Sequence, residues 1–268
     1  MNSPSVLCVC LTSLTVGIFC AAQDLSFPKG WTAASFPDST SGMSDDLRCA
    51  NYSSNEWHVK VNAGVVQISR PPEPKGKGRT VEAKAGAGRL VGYDAGEFGG
   101  GLWWSGADGR KKIRLSNENV HAILARKNEL LVFTGLAHGP IDEGKVYAYT
   151  SGLQSAGNLV ELADLGTAPS AASIEDDGTV MIAATDRILA FNPSNHLRVL
   201  YQNRNMGALY TNSIATDPAG NVLVGMRFFV LRLHRRQGGE FTPEWYVPGS
   251  CTKTKLVGYD CKCIAREQ

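Results

Sequence analysis

The chain has 268 residues, 27 basic and 25 acidic side chains, a net charge of +2 and an apolar share of 43 %. That length allows one large or two small domains with a substantial core, and a charged fraction of only 19 % excludes an intrinsically disordered chain. A balance this close to neutral gives nucleic acid no electrostatic handhold, and 29 glycines without a G-X-Y period exclude collagen and point to tight turns.

Residues 1–22 carry no charged side chain, and an apolar core from Val6 to Phe19 ends in Cys20-Ala21-Ala22. Small residues at both positions that a signal peptidase reads predict a signal peptide cleaved after Ala22 and a secreted or periplasmic protein. No other stretch approaches membrane-spanning length, so the mature chain is expected to have no span. Residues 23–47 read as an N-terminal extension and 48–268 as the folded domain. Cleavage leaves four cysteines, Cys49, Cys251, Cys261 and Cys263. An even number in an exported chain predicts two disulfides, and Cys261 and Cys263 are too close to bridge each other without strain. Cys49 therefore pairs with Cys261 or Cys263, and Cys251 takes the other. Asn51-Tyr52-Ser53 is a glycosylation sequon only in a eukaryotic source.

From Cys49 onward, short β-branched or aromatic runs alternate with Gly, Asn, Asp and Pro, and long helical periodicity is absent. A hairpin, EWHVKV-NAG-VVQIS, spans 56–69. Four units then follow in one frame: TVEAKAGAGRLVGYD with GGGLWWSGADGRKKIRLS, VHAILARKNELLVFTG with GKVYAYTSG and LVELADL, residues 173–201, and residues 214–233. Gly178 and Gly220 superpose 42 residues apart, and the pentapeptide LVGYD at 90–94 returns 166 residues later at 256–260. A period in the low forties with four strands per unit predicts an all-β fold, a β-propeller of five four-stranded blades. In this frame the C-terminus supplies the first two strands of a blade and the 56–69 hairpin its last two. The closing blade is then shared between the chain ends, pairing 56–69 with strands near 248–260, and a cystine from Cys49 would seal it.

No G-x-S-x-G, Walker A, H-E-x-x-H or G-x-G-x-x-G pattern occurs. The basic run Arg110-Lys111-Lys112 reads as a solvated strand face, and Trp103-Trp104 puts one ring on each side of a strand. In a propeller the loops from second to third strand share one face with the links between blades. That face would gather AGEFGG at 95–100, AHGPIDEG at 137–144, NEN at 117–119, GTAPS at 166–170 and NRNMGALYTN at 203–212. The candidate ligand-binding side chains there are Glu97, Asn119, His121, His138, Tyr210 and Asn212.

The run IATDPAGNVLV at 214–224, and more loosely SIEDDGTVMIA, resembles NHL-repeat and SMP-30/gluconolactonase-like propeller blades. The resemblance implies the fold and extends over about two blades. It also implies an enzymatic alternative, since the metal-dependent lactonases of that group hold a divalent cation such as calcium through a Glu, an Asn and an Asp. Glu97 and Asn212 match the first two in part and no residue matches the Asp. The leading expectation is therefore an exported propeller without a cofactor that binds a protein or glycan on its loop face. The alternative is a metal-dependent lactonase-like hydrolase with Glu97 and Asn212 as metal ligands.

Overall fold

A computed structural model describes residues 27–36, 44–72, 78–150 and 156–249. The chain opens with a short strand β1 (Trp31–Ala34) and helix α1 (Asp45–Tyr52), whose N-cap Ser44 accepts from the Leu47 amide. Strands β2 (His58–Asn62) and β3 (Val65–Ser69) form the expected hairpin. Ala63 and Gly64 both take positive φ, the two-residue turn whose twist suits a tight hairpin.

Four antiparallel sheets follow. The first blade holds β4 (Arg79–Ala85), β5 (Gly88–Asp94), β6 (Gly100–Gly106) and β7 (Lys112–Ser116). The second holds β8 (Val120–Arg126), β9 (Glu129–His138), β10 (Ile141–Thr150) and β11 (Asn158–Asp164). The third holds β12 (Pro169–Ile174), β13 (Val180–Ala184), β14 (Arg187–Phe191) and β15 (Leu197–Gln202). The fourth holds β16 (Ser213–Thr216), β17 (Val222–Gly225), β18 (Val230–Arg235) and β19 (Phe241–Pro248), and β1 adds a fifth strand on β19. With the β2–β3 sheet these make a five-bladed β-propeller. The expected phase holds, since LVGYD falls in the second strand β5 and β13 and β17 begin at Val180 and Val222.

Successive blades are joined by apolar seams. Leu90, Leu102 and Trp104 meet Val120 and Val132 between the first two blades. Gly92 lies in that seam, where a Cβ would come within 2.5 Å of Val120 Cγ1, so the close approach requires glycine. Phe133, Val146, Ile182 and Phe191 fill the second seam. Ile188, Val224, Leu231 and Trp245 fill the third, with Leu47 and Ala50 of α1 packed on the same cluster. Val59, Leu223 and Val230 join the hairpin to the fourth blade.

Three features differ from the sequence reading. First, β2 packs beside the inner strand β16, and the Val59 amide donates to Ser213 Oγ at 2.9 Å. The hairpin is thus the inner pair of its blade, not the outer pair, because Val59 completes the apolar face of Leu223 and Val230. Second, Pro248 belongs to β19 and pairs with Trp31 of β1 rather than with the hairpin, so the segment read as an extension contributes an edge strand. Third, most of the expected long loop at 137–144 continues the β9–β10 hairpin, with Ile141 opposite His138 and Asp142 opposite Ala137. The rest of the proposed closing strands lie outside the described residues, as do the signal segment, Cys251, Cys261 and Cys263. Cys49 is buried and disulfide-bonded. Among the described residues no helix is long and apolar enough to cross a membrane.

Candidate functional site

The inner strands β4, β8, β12, β16 and β2 all start at the same end of the ring. There the second-to-third-strand loops 95–99, 139–140, 185–186 and 226–229 meet the inter-blade links 53–57, 117–119, 165–168 and 203–212. Rigid sheets therefore present many short loops on one surface.

Polar side chains at the heads of the inner strands make a hydrogen-bonded belt around this mouth. Arg79, the first residue of β4, donates Nη1 to the Ser170 carbonyl at 3.1 Å and Nη2 to His121 Nδ1 at 2.6 Å. Asp94 Oδ2 lies 3.5 Å from the guanidinium and 3.4 Å from the imidazole. A guanidinium only donates, so Nδ1 of His121 is the acceptor and Nε2 carries the proton. That proton goes to the Gly135 carbonyl at 2.9 Å. Burial is the main cause that lowers the His121 pKa, with Asp94 opposing it and Arg79 reinforcing it. The ring is thus a neutral hydrogen-bonding strut with both nitrogens engaged, and it has no lone pair to serve as a base. Burial also lowers the Arg79 pKa, against the pull of Asp94.

The belt continues through the other blades. Ser170 Oγ donates to the Ala183 carbonyl, which leaves Thr211 Oγ1 as the donor in the short bond between the two hydroxyls. Beside Thr211, Ser213 Oγ donates to Asn212 Oδ1 at 2.8 Å, and Asn212 Nδ2 donates to Glu56 Oε1 at 3.0 Å. Glu56 heads the hairpin, so polar contacts reach from the first blade to the fifth.

The other expected residues take distinct places. Asn119 is buried, donates to the Gly96 carbonyl at 3.0 Å and accepts from the Ala95 amide, so it holds the 95–99 loop. That loop carries Glu97, which meets His138 of the next blade at 2.7 Å on the exposed rim. Tyr210 is exposed, with left-handed backbone (φ 51°), and its ring lies against the Arg227 guanidinium, 4.4 Å from ring centroid to Cζ. The structure therefore brings Glu97 and His138 together and puts His121 and Asn212 in the belt. Among the described residues Glu97 and Asn212 share no partner. Among the described residues no three His, Cys, Asp or Glu side chains gather as a metal ion would require. The sequon residue Asn51 has its amide nitrogen on the Ala208 carbonyl at 2.5 Å. Trp104 is buried in the first seam, and Trp103 lies on the opposite face under Arg114.

Sequence reasoning missed Glu56, Arg79, Asp94, Ser170, Thr211 and Arg227. One signal was available. Four of the missed residues stand within two residues of the start of a first strand, where a polar side chain flanks the run: Glu56, Arg79, Ser170 and Thr211.

No protein-family model matches the chain, and no curated protein sequence does. Among solved structures it is similar to virginiamycin B lyase from Staphylococcus aureus, at 13 % identity and a TM-score of 0.41, over 70 % of this chain and 69 % of that one. A streptogramin B lyase aligns at 12 % identity and a TM-score of 0.42, over 70 % of this chain, which spans only 58 % of that protein's length. A luciferin-regenerating enzyme aligns at 13 % and 0.41, over 69 % and 66 %. Likeness at this level assigns nothing to the mouth of the ring.

Proposed function

We propose that this is an exported propeller, secreted or periplasmic, that recognises a protein or glycan through its loop face. The observation that carries the reading is the placement of exposed aromatic rings. Among the described residues Tyr52, Phe98 and Tyr210 are 61 %, 88 % and 56 % exposed, and all three stand around the loop face. Tyr52 ends the helix that rests on residues 204–209, Phe98 tips the 95–99 loop, and Tyr210 lies in the link into the fourth blade. Exposed side chains on outer strands, such as Val160 and Val199, are aliphatic. Exposed aromatics around a belt of donors and acceptors give a ligand both stacking area and hydrogen-bonding specificity.

The test is a panel of glycans and peptides offered to the mature chain and to a Phe98→Ala/Tyr210→Ala variant, both shown by thermal unfolding to be fully folded at the assay temperature. The expected result is a ligand whose affinity falls at least about tenfold in the variant. A ligand bound equally by both proteins would remove the loop face from the reading. No cofactor is needed. A divalent cation on Glu97 and Asn212 belongs to the lactonase-like alternative, and metal analysis with calcium titration separates the two.

A further inference from the structure

The 95–99 loop is held by a dense set of hydrogen bonds. The Gly96 amide donates to Asp94 Oδ1 at 3.0 Å, and the Phe98 amide donates to the Ala95 carbonyl at 3.2 Å. The amides of Ala95 and Gly99 donate to the Gly99 and Gly96 carbonyls, each at 3.0 Å. Asn119 ties the same turn to the link between blades, and Glu97 is clasped by His138 of the second blade. None of these contacts buries the tip residue. Phe98, at 88 %, is the most exposed large apolar side chain among the described residues. Fixing a loop costs conformational entropy, and here the order serves a ring that stands in solvent. A scattered apolar group on a surface is ordinary, but one carried on a braced turn is preorganised for a partner.

The neighbours of the ring say what kind of partner. Ile141 is opposite His138 in the β9–β10 pairing, so both side chains project from the same face of that sheet. His138 meets Glu97, and that face is therefore the one toward the first blade. Ile141 is 44 % exposed and adds an aliphatic group to the rim that carries Phe98. Glu143, two residues along β10, falls on the same face, is exposed, and has no side-chain partner among the described residues. A glycan needs several convergent donors and acceptors beside a ring. Here Asn119 is engaged at both ends by the loop's own backbone, and Glu97 and His138 are engaged with each other. An unpaired carboxylate also opposes an anionic lipid surface. A protruding ring with an aliphatic neighbour matches an apolar hollow in a protein, and Glu143 matches a basic side chain at its border.

We propose that this rim is a protein-docking knob: Phe98, flanked by Ile141, enters an apolar pocket of a partner protein whose border presents a Lys or Arg to Glu143. The Glu97–His138 pair is a positioning contact that fixes the knob across two blades. This proposal rests on the loop-face reading and names a protein as its ligand class.

The experiment uses the full-length mature chain as wild type, Phe98→Ala, Ile141→Ala, Glu143→Gln and the outer-strand control Val160→Ala, each shown to be folded by thermal unfolding. Immobilised wild type and Phe98→Ala are offered the exported protein fraction of the source cells. A species retained by wild type alone is identified and purified, and calorimetry measures its affinity for every variant. β-Cyclodextrin, whose apolar cavity takes a single phenyl ring, serves as competitor. The expected result is a loss of about tenfold or more in Phe98→Ala and about threefold in Ile141→Ala, with Val160→Ala matching wild type. β-Cyclodextrin should weaken binding to wild type, and Glu143→Gln should lower affinity about threefold and flatten its dependence on salt. Absence of any protein retained through Phe98 overturns the proposal, as does a purified partner that binds Phe98→Ala as well as wild type. A salt dependence unchanged in Glu143→Gln overturns the basic border. Phe98-dependent binding of a glycan, or of phosphatidylcholine/phosphatidylserine vesicles, without a protein partner also overturns the proposal. The glycan outcome leaves the loop face standing, whereas finding no ligand of any class sensitive to Phe98 or Tyr210 removes both readings.

Discussion

The third and fourth blades meet through a continuous apolar seam, whereas the first blade and the β2–β3 hairpin turn polar faces away from their packed neighbours. On the hairpin, Val59 and Ile68 point to the fourth blade while Lys60, Asn62 and Gln67 are exposed. On the first blade, Leu90 and Trp104 point to the second while Thr80, Glu82, Lys84 and Arg89 are exposed. No apolar cluster joins these two faces among the described residues. Among the described residues four apolar seams pack successive blades, and none spans the fifth interval. The polar contacts at the mouth add links of another kind, since Arg79 on the first blade donates to the Ser170 carbonyl on the third, two blades that share no apolar seam among the described residues.

The largest test of that contrast is truncation on either side. Ile188→Ala or Leu231→Ala removes a fully buried side chain of the third seam and should cost about 2–5 kcal/mol. Lys60→Ala and Glu82→Ala should each stay within about 0.5 kcal/mol, although Glu82 lies 3.3 Å from Arg89 in an exposed pair. Urea midpoints under non-reducing conditions measure all four. A polar-face variant that costs as much as a seam variant would show that the fifth interval is packed after all.

Next in size is the belt. Arg79→Met removes bonds to Ser170 and His121 and leaves Asp94 without its cation, an expected loss of about 1–3 kcal/mol. Arg79→Lys should recover little, because one ammonium cannot reach partners on two other blades with the geometry of a planar fork. Full recovery by lysine would reduce the belt to a charge effect.

How much of this was readable beforehand follows from what each feature depends on. The blade period was readable because second strands are apolar runs after a Gly-containing or Lys-Asn turn, as at Val180 and Val222. Strand β1 was not, since four residues of WTAA carry no alternation and become a strand only by pairing with β19. Nor could alternation say whether the 56–69 hairpin sits inside or outside its blade, because inner and outer strands alternate alike. The loop face itself was readable from the frame, and with it Glu97, His138 and Tyr210. The belt was hidden because Arg79 meets its partners 42 and 91 residues away, a pairing that only the closed ring brings about.

A pH titration sharpens the same contrast with a smaller effect. Burial lowers the folded-state pKa of His121 below its ordinary value of 6.5. The unfolded chain then binds more protons as pH falls, so the belt's stability is present above about pH 6.5 and is lost as pH drops through the folded value. His58 on the hairpin shifts the same way, mainly by burial and then by Lys60. Thermal unfolding from pH 8 to 5 should show stability falling with acid, less steeply in His121→Gln, and least in His121→Gln/His58→Gln. A wild-type curve flat over that range would contradict a buried neutral His121.

The smallest expected change concerns Tyr210, where the sign matters more than the size. Left-handed backbone costs a non-glycine residue about 1–2 kcal/mol, and glycine escapes that cost. Tyr210→Gly therefore gains strain relief and loses the Arg227 contact, about 0.5–1 kcal/mol, together with glycine's extra chain entropy of similar size. The net should lie within about 0.5 kcal/mol of wild type. Tyr210→Ala loses the same contact and keeps most of the strain, so it should be the less stable variant by about 0.5–1 kcal/mol. At ordinary negative φ the order reverses, because alanine then restricts the unfolded chain at no native cost. Differential unfolding of the two variants reads this sign directly. An alanine variant as stable as the glycine one would mean that the φ of 51° stores no strain, and the exposed ring would lose its claim to be held out for a ligand.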